Sequence, residues 1–158
     1  LDYRYPEISK NELTLKDAIF DIKNSAIPAK EKNHSNGSKC LFPNHEYALG
    51  SFSVMYMSRN RVRSWDERSY TIQAGARHAP IHPQAPKMIK IDTNKQIFKP
   101  GFEDLYRRLS IREIARIQTY PDNFYFYYKS LLDGYKMIGN SVPVNLSKNL
   151  AQSIKNTF

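Results

Sequence analysis

The sequence predicts an α+β fold in which helices near both ends of the chain flank a central region of short strands. A Thr-x-x-Asp pattern, Thr14 to Asp17, opens the first predicted helix, and a Ser-x-x-Glu pattern, Ser110 to Glu113, opens another. Both are typical of the capping box, which satisfies free backbone amides at a helix start. Between them, residues 51–63 alternate in type and are rich in Phe, Tyr, Val and Met, which indicates a strand.

The first helix carries an apolar face that we expect to pack in the core. This face consists of Leu15, Ala18, Ile19 and Ile22. Pro28 is expected to end the element, because proline disrupts helical hydrogen bonding. The next residues, 30–39, are polar and contain the turn signal Asn36-Gly37, so we place the start of a second lobe at residue 30.

Charge favours a polyanionic partner. The chain has 158 residues and a net charge of +9 at pH 7, and a basic protein concentrates nucleic acid at its surface. A merely soluble basic protein is the alternative. The single cysteine permits no internal disulfide. Residues 1–10 do not resemble a signal peptide, and no apolar run approaches the length of a membrane span. We therefore expect a soluble cytoplasmic protein.

A metal site is not expected. His34, Cys40 and His45 lie near one another in the sequence. Structural zinc normally takes four ligands in closely spaced pairs, and these three residues do not form such pairs. Ordinary loop positions explain them better.

Arginines recur with a period of two at the end of the predicted central strand. Arg59, Arg61 and Arg63 would leave the same face of a strand. A solvated basic edge is one interpretation. Binding to an anion is the other, and we favour it because three unpaired guanidinium groups repel one another. Arginine also makes bidentate hydrogen bonds to guanine in the major groove.

A second predicted strand, Trp65 followed by residues 70–73, leads to a loop that contains another candidate, Arg77. Gly75 gives this loop backbone freedom, and the proline-rich residues 82–86 would hold it rigid. A short strand is expected at residues 88–91, within a lysine-rich stretch that we regard as mainly solvated.

The helix that begins after Ser110 has an apolar stripe and several guanidinium groups. The stripe comprises Ile111, Ile114, Ala115, Ile117 and Gln118, and the arginines are Arg107, Arg108, Arg112 and Arg116. This pattern predicts one packed face and one face turned toward an anion. Pro121 is expected to stop the helix, and the aromatic residues 123–128 are expected to pack against it.

A last helix is expected to begin near Ser141, with Pro143 in its first turn. Its apolar stripe comprises Leu146, Leu150, Ile154 and Phe158. Gly139 would let the preceding loop approach another surface closely. The helix start, with Asn140 and Ser141, either binds an anion or is a plain helix cap.

Two segments resemble motifs of the cytosine-C5 DNA methyltransferases. Residues 107–124 match motif IX of that family, R-x-L-[ST]-x-R-E-x-A-R-x-Q-x-[FY]-P-D-x-F, and residues 135–143 match motif X, Y-x-x-[IM]-G-N-[AS]-V-P. Upstream, MSRNRVRSW, TIQAGARH and HPQAP resemble the recognition region of GGCC-specific members. The likeness covers the second half of such an enzyme.

The resemblance implies a function in a restriction-modification system. The substrates would be S-adenosylmethionine and a flipped cytosine in a GGCC-like site of double-stranded DNA. It implies that Arg59, Arg61, Arg63 and Arg77 contact DNA, and that motif IX mainly holds the recognition lobe together. Motif X would contribute Asn140, Ser141 and Val142 to the cofactor pocket.

The same resemblance implies that the enzyme is incomplete in this chain. The family uses a Pro-Cys thiolate, but Lys39 precedes Cys40, and the F-x-G-x-G, E-N-V and Q-x-R-x-R motifs do not occur. Cys40 is therefore expected to be structural, and a separate N-terminal catalytic half is expected as partner. Residues 1–29 and 129–158 would join its Rossmann-like domain, and residues 30–128 would form the target-recognition domain. A non-catalytic DNA-binding module or regulator that acts alone is the alternative.

Overall fold

Short helices connected by long irregular segments dominate the computed structural model, which describes residues 4–6 and 13–157. Within these residues the α-helices are α1 (Leu15–Ile19), α2 (Ile111–Ile117), α3 (Leu131–Gly139) and α4 (Val144–Lys155). The strands are β1 (Ile27–Pro28), β2 (Glu46–Tyr47), β3 (Ile89–Asp92) and β4 (Lys95–Ile97). Short 3-10 helices include Tyr56–Ser58 and Ala76–His78. In the described part of the chain no helix has the length and hydropathy needed to span a membrane.

The strands form two small sheets, so the predicted mixture of helix and strand is confirmed. Strands β1 and β2 are parallel, with Ile27 opposite Glu46. Strands β3 and β4 form an antiparallel hairpin, with Ile89 opposite Ile97. The strand expected at residues 88–91 is present one residue further along the chain, as β3.

Helix α1 begins where the sequence predicts but ends early. The capping box is complete, because Thr14 and Asp17 each accept a hydrogen bond from the other's backbone amide. Helical geometry changes at Ile19 and continues as a 3-10 turn to Ile22. Pro28 lies in β1, so the prediction that Pro28 ends the helix is wrong.

The predicted central strands are absent from residues 51–73, all of which the structure describes. Residues 56–58 form a 3-10 helix, and Val62 makes an isolated bridge to Ile81. Residues 65–73 form no strand. Two of their carbonyl groups, those of Trp65 and Glu67, accept hydrogen bonds from amides in the first turn of α1. At these two positions the backbone bonds a helix and not a neighbouring strand.

Helix α2 lies at the centre of the larger core cluster. Leu109, Ile111, Ile114 and Ala115 are fully buried, and they pack with apolar residues of α1, of the 3-10 turn after it and of α3. These residues are Leu15 and Ile19 in α1, Ile22 in the turn, and Leu131, Tyr135 and Ile138 in α3. A second, smaller cluster contains Tyr56, Val62, Ile81, Ala85, Met88 and Tyr106. Burial of the α2 stripe supplies most of what holds this short helix in place, since isolated helices of this length are unstable.

The capping box of α2 is confirmed, but Pro121 does not stop the helix. Ser110 Oγ accepts a 3.1 Å hydrogen bond from the Glu113 amide, and the Glu113 carboxylate accepts one of 2.7 Å from the Ser110 amide. The helix ends at Ile117, and Thr119 turns the chain with a φ of 61°. Thr119, in the left-handed conformation, lies two residues before Pro121, so the helix has already ended where the proline occurs.

Helix α3 was not predicted, and it changes the position of the residues around Gly139. Gly139 is the last residue of α3 rather than part of a loop. Helix α4 begins at Val144, after Pro143. The apolar stripe of α4 is largely exposed: Leu146 and Ile154 are each about half accessible, and Leu150 is half-buried. Phe158 lies outside the described residues.

The aromatic segment after α2 is only partly packed. Phe126 and Tyr128 contact the larger core cluster, whereas Phe124, Tyr125 and Tyr127 are exposed. The predicted core packing is therefore confirmed for Phe126 and Tyr128 and wrong for Tyr125 and Tyr127. Phe124 is exposed but contacts the rings of Tyr120 and Phe126.

Candidate nucleic-acid interface

The guanidinium groups of the α2 region bind the protein itself. Arg107 donates a pair of hydrogen bonds, 2.8 and 2.7 Å long, to the buried Glu113 carboxylate. Arg116 bonds Asp122 and Asp21 at distances of 2.6–2.8 Å. The prediction that one face of this helix turns toward an anion is wrong, because internal carboxylates already occupy these groups.

Arg112 is fully buried and bonds backbone carbonyl groups. It donates hydrogen bonds to the carbonyl oxygens of Pro43, Pro121 and Phe124 at 2.8, 3.1 and 2.7 Å. Carbonyl dipoles thus replace water around this cation. Motif IX therefore ties distant loops together, which agrees with the structural role expected of it.

Arg108 is a buried residue whose role the sequence analysis missed. Its guanidinium group donates to carbonyl oxygens in two segments, residues 48–51 and Ala76. Arg108 occupies the variable position of R-x-L, so the motif does not indicate a role for this residue. Only the tertiary contacts reveal its function.

The three arginines at residues 59–63 do not form a row on one strand face. Arg59 is exposed. Arg61 is half-buried, donates a 2.7 Å hydrogen bond to the Tyr56 carbonyl and stacks on the Tyr56 ring at 4.7 Å. Arg63 pairs with Glu67 at 2.9 Å and stacks on Tyr70. The premise of three unpaired cations is therefore wrong, since Arg63 has a carboxylate partner.

Arg77 lies on the exposed 3-10 helix that follows Gly75. This turn lies beside Arg61: a cleft of about 160 Å³ is lined by Arg61 together with Gln73 and His78. The amide of Ile81 also donates a 3.4 Å hydrogen bond to the Arg61 carbonyl. The fold thus brings together two segments that the sequence analysis selected separately. We name them the arginine segments, residues 48–63 and 73–78.

The candidate cofactor residues lie on one exposed turn. Asn140 follows the last residue of α3 and is exposed, and Val142 is 53% accessible. Ser141 Oγ donates a 2.7 Å hydrogen bond to the Ile138 carbonyl. Residues 140–142 connect α3 to α4: Asn140 is the C-cap of α3, and Val142 precedes Pro143, the N-cap of α4. The expectation that Asn140 belongs to the N-terminus of the last helix is therefore wrong.

The amides at the start of α4 have protein acceptors. The Val144 amide donates to the Gln118 carbonyl at 3.1 Å, and the Asn145 amide donates to Thr119 Oγ1 at 2.9 Å. Of the two interpretations of this helix start, the plain cap fits the geometry better than an anion site.

Gly139, just before the turn at residues 140–142, packs against the second arginine segment. A Cβ atom at Gly139 would lie 2.4 Å from backbone atoms of Gln73 and Ala74. Only glycine fits such a close approach of α3 to the backbone. The expectation that Gly139 permits close contact is confirmed, and the surface it contacts is the arginine segment.

Cys40 does not have the environment of a nucleophile. Its side chain is half-buried, and burial together with the nearby Glu46 carboxylate raises the pKa of the thiol to about 11. A thiol of this pKa is protonated at neutral pH. Among the described residues, no group of three His, Cys, Asp or Glu side chains is placed to hold a metal ion.

Comparison with known proteins identifies the family. Residues 2–156 match the model of the C-5 cytosine-specific DNA methylases. The chain is 54% identical over 157 residues to the type II methyltransferase M.FnuDI of Fusobacterium nucleatum. This match covers 99% of the present chain and 46% of the relative. It is 58% identical over 155 residues to the type II methyltransferase M.MthTI of Methanothermobacter thermautotrophicus, covering 98% of this chain and 47% of the relative. It thus spans about half the length of the curated relatives it matches. The chain belongs to the C-5 cytosine-specific DNA methylase family.

Proposed function

We propose that this chain is the DNA-recognition part of a DNA (cytosine-5-)-methyltransferase of a restriction-modification system. It acts with a separate N-terminal catalytic half that carries the nucleophilic thiolate. The substrate is a cytosine flipped out of double-stranded DNA at a GGCC-like site. Residues 30–128 form the target-recognition domain, and residues 1–29 and 129–158 join the catalytic half.

The exposed guanidinium groups of the arginine segments are the observation that carries this proposal. Arg59 and Arg77 are exposed. Neither donates a hydrogen bond to another described residue, unlike Arg107, Arg112 and Arg116. On a chain of net charge +9, exposed guanidinium groups of this kind fit contacts to guanine bases and phosphates. Arg61 uses its Nε donor on the Tyr56 carbonyl and keeps further N–H donors for DNA. Arg63 is paired with Glu67, so it contributes mainly by its position beside the other arginines.

The exposed turn after α3 fits one wall of a cofactor site. Asn140 presents an amide side chain and Val142 an apolar surface. Bound S-adenosylmethionine supplies the methyl group. Ser141 holds the turn in shape through its bond to the Ile138 carbonyl. The catalytic half completes the pocket.

The test is reconstitution with a catalytic half that contains the Pro-Cys and E-N-V motifs. Methyl transfer is measured on a GGCC duplex and on duplexes that each differ by one base pair. Arg77→Ala should cost roughly 1–3 kcal/mol of specific binding and relax the choice of base at one position, as expected for a bidentate guanine contact. Lys39→Ala, a control at another exposed cation, should leave the sequence preference unchanged.

Two results would contradict the proposal. Equal methylation of every duplex by the wild-type pair would exclude a recognition role for this chain. Sequence-selective DNA binding without methyl transfer in the reconstituted pair would favour the non-catalytic DNA-binding module instead.

A further inference from the structure

We infer that Arg108 is a positioning residue that holds the two arginine segments in a fixed relation, so that their exposed guanidinium groups meet DNA together. This inference rests on the proposed DNA-recognition function. Arg108 does not itself reach DNA, because its side chain is buried and bonded to the protein. Its effect is exerted through the backbone of the segments that it bonds.

The guanidinium group of Arg108 bonds four carbonyl oxygens. Nε donates to Ala76 at 3.0 Å, in the second arginine segment. Nη1 donates to Gly50 at 3.0 Å and to Ala48 at 3.4 Å, and Nη2 donates to Ser51 at 3.0 Å, all in the first. The planar group therefore fixes the distance between two pieces of chain, because its donors have a rigid geometry.

The arginine segments need such a connection because they contain little regular structure. Between residues 48 and 63 the backbone forms a single 3-10 turn and an isolated bridge at Val62. Arg108 also stacks on Phe52, with its guanidinium carbon 4.2 Å from the ring centroid. The Tyr56 hydroxyl, in the first segment, also donates a 2.6 Å hydrogen bond to the carbonyl of Ala79, the residue that directly follows the second segment. Arg77 directly follows the bonded Ala76, so any shift of that carbonyl moves Arg77.

Among the described residues, Arg108 has no carboxylate partner. Its positive charge is balanced by carbonyl dipoles and by the Phe52 ring, and burial lowers the pKa of the guanidinium group from its ordinary value. Because its hydrogen bonds go to two separate segments, they constrain the position of one segment relative to the other. Lysine would keep the charge but has no planar fork with which to bond both segments.

Arg108→Lys tests the inference in the reconstituted enzyme, with Arg112→Lys as the matched control. Both arginines are buried and bond backbone carbonyl groups, but Arg112 bonds Pro43, Pro121 and Phe124 outside the arginine segments. The readout is the ratio of Kd for a GGCC duplex to Kd for duplexes with one changed base pair, beside the thermal midpoint. Arg108→Lys should reduce this preference roughly tenfold, comparable to the loss of one base contact. Arg112→Lys should lower the midpoint and leave the preference unchanged.

Two further measurements apply if Arg108→Lys does not fold. Phe52→Leu removes the ring under the guanidinium group and should reduce the preference by a smaller factor. In Arg108→Gly, millimolar guanidinium ion should restore part of the preference, whereas potassium at the same ionic strength should not. An unchanged preference in every folded variant would overturn the role of Arg108. Absence of any preference in the wild-type enzyme would instead overturn the proposed function.

Discussion

The Nε2 atom of His82 lies 3.4 Å from Oε1 of Glu113, and both side chains are fully buried. His82 Nδ1 accepts a hydrogen bond from the Gln84 amide, so Nε2 carries the proton and points toward the carboxylate. Burial lowers the pKa of His82, with the Glu113 carboxylate acting in the opposite direction. His82 is therefore neutral in the folded protein at neutral pH.

A second buried histidine is fixed in the same way. His45 Nε2 lies 2.9 Å from the Ile22 carbonyl and must donate to it, which leaves Nδ1 to accept from the Ser110 hydroxyl at 2.7 Å. Ser110 Oγ in turn accepts the Glu113 amide at the start of α2. A second proton on His45 would force the bond to Ser110 to reverse, with Nδ1 as the donor. Burial lowers the pKa of this histidine and so disfavours that protonation.

Acid should therefore destabilise the fold. A histidine whose pKa is lower in the folded state contributes stability above its unfolded pKa of about 6.5, and loses it as the pH falls. Burial alone would raise the pKa of Glu113, but the two hydrogen bonds from Arg107 and the proximity of His82 outweigh burial and hold this pKa well below its ordinary value. Stability should fall below about pH 6.5 and fall more steeply below about pH 4.5. Urea unfolding at a series of pH values measures the free energy of unfolding. A constant value from pH 7 to pH 5 would contradict the conclusion that His45 and His82 are neutral in the folded protein.

Glu113→Gln should destabilise the protein by roughly 3–5 kcal/mol at neutral pH, because it leaves the guanidinium group of Arg107, whose side chain is only 12% exposed, without its carboxylate. Urea unfolding supplies the measurement. Asp122→Asn is the control: Asp122 also pairs with an arginine, Arg116, but is about half exposed. Its loss should cost about 1 kcal/mol or less. Equal losses in the two variants would show that burial does not set the importance of the Glu113 pair.

Cys40→Ser should leave methyl transfer by the reconstituted enzyme nearly unchanged. The thiol of Cys40 has a pKa of about 11, so it offers almost no thiolate at neutral pH. The measurement is methyl transfer together with trapping of the covalent enzyme–DNA adduct on a duplex with a mechanism-based cytosine analogue. Disappearance of the adduct in Cys40→Ser would identify this residue as the nucleophile.

Gly139→Ala should destabilise the chain by about 1–3 kcal/mol, since its Cβ would overlap the backbone of Gln73 and Ala74. Gly75→Ala is the matched control in the same region: no atom lies within 4 Å of its Cβ position, and its φ of 174° is extended. Thermal or urea unfolding compares the two. A neutral Gly139→Ala would mean that α3 does not pack tightly on the second arginine segment.

Helix α4 should bind the catalytic half through its exposed apolar face. Leu146 and Ile154 are 48% and 49% accessible, so charges placed there should leave the fold of this chain intact. Leu146→Asp with Ile154→Asp, or deletion of residues 145–158, should abolish co-purification of the two halves. Asn140→Ala should retain assembly and weaken S-adenosylmethionine binding. Normal assembly and methyl transfer after the deletion would show that α4 is not part of the interface.

Local patterns determined the starts of two helices and the family of the chain. Thr14 with Asp17, and Ser110 with Glu113, bond each other across three residues, so sequence spacing alone specifies these caps. The apolar stripe of α2 follows from the same short-range spacing. The two motifs, at residues 107–124 and 135–143, likewise indicated the family that the comparison confirmed.

Only the tertiary structure decided which cations bind the protein and which face solvent. Arg108 bonds Ser51, which is 57 residues away, and Arg112 bonds Pro43, which is 69 residues away. Residues 51–63 alternate like a strand, but their only bridge to another segment is the one between Val62 and Ile81, and the amides of residues 56–58 bond the nearby Ser53 and Met55 instead. A strand and a buried guanidinium group both depend on acceptors that the folded chain brings from elsewhere. Residue spacing does not encode those acceptors, which is why the helix starts were predictable and the roles of the arginines were not.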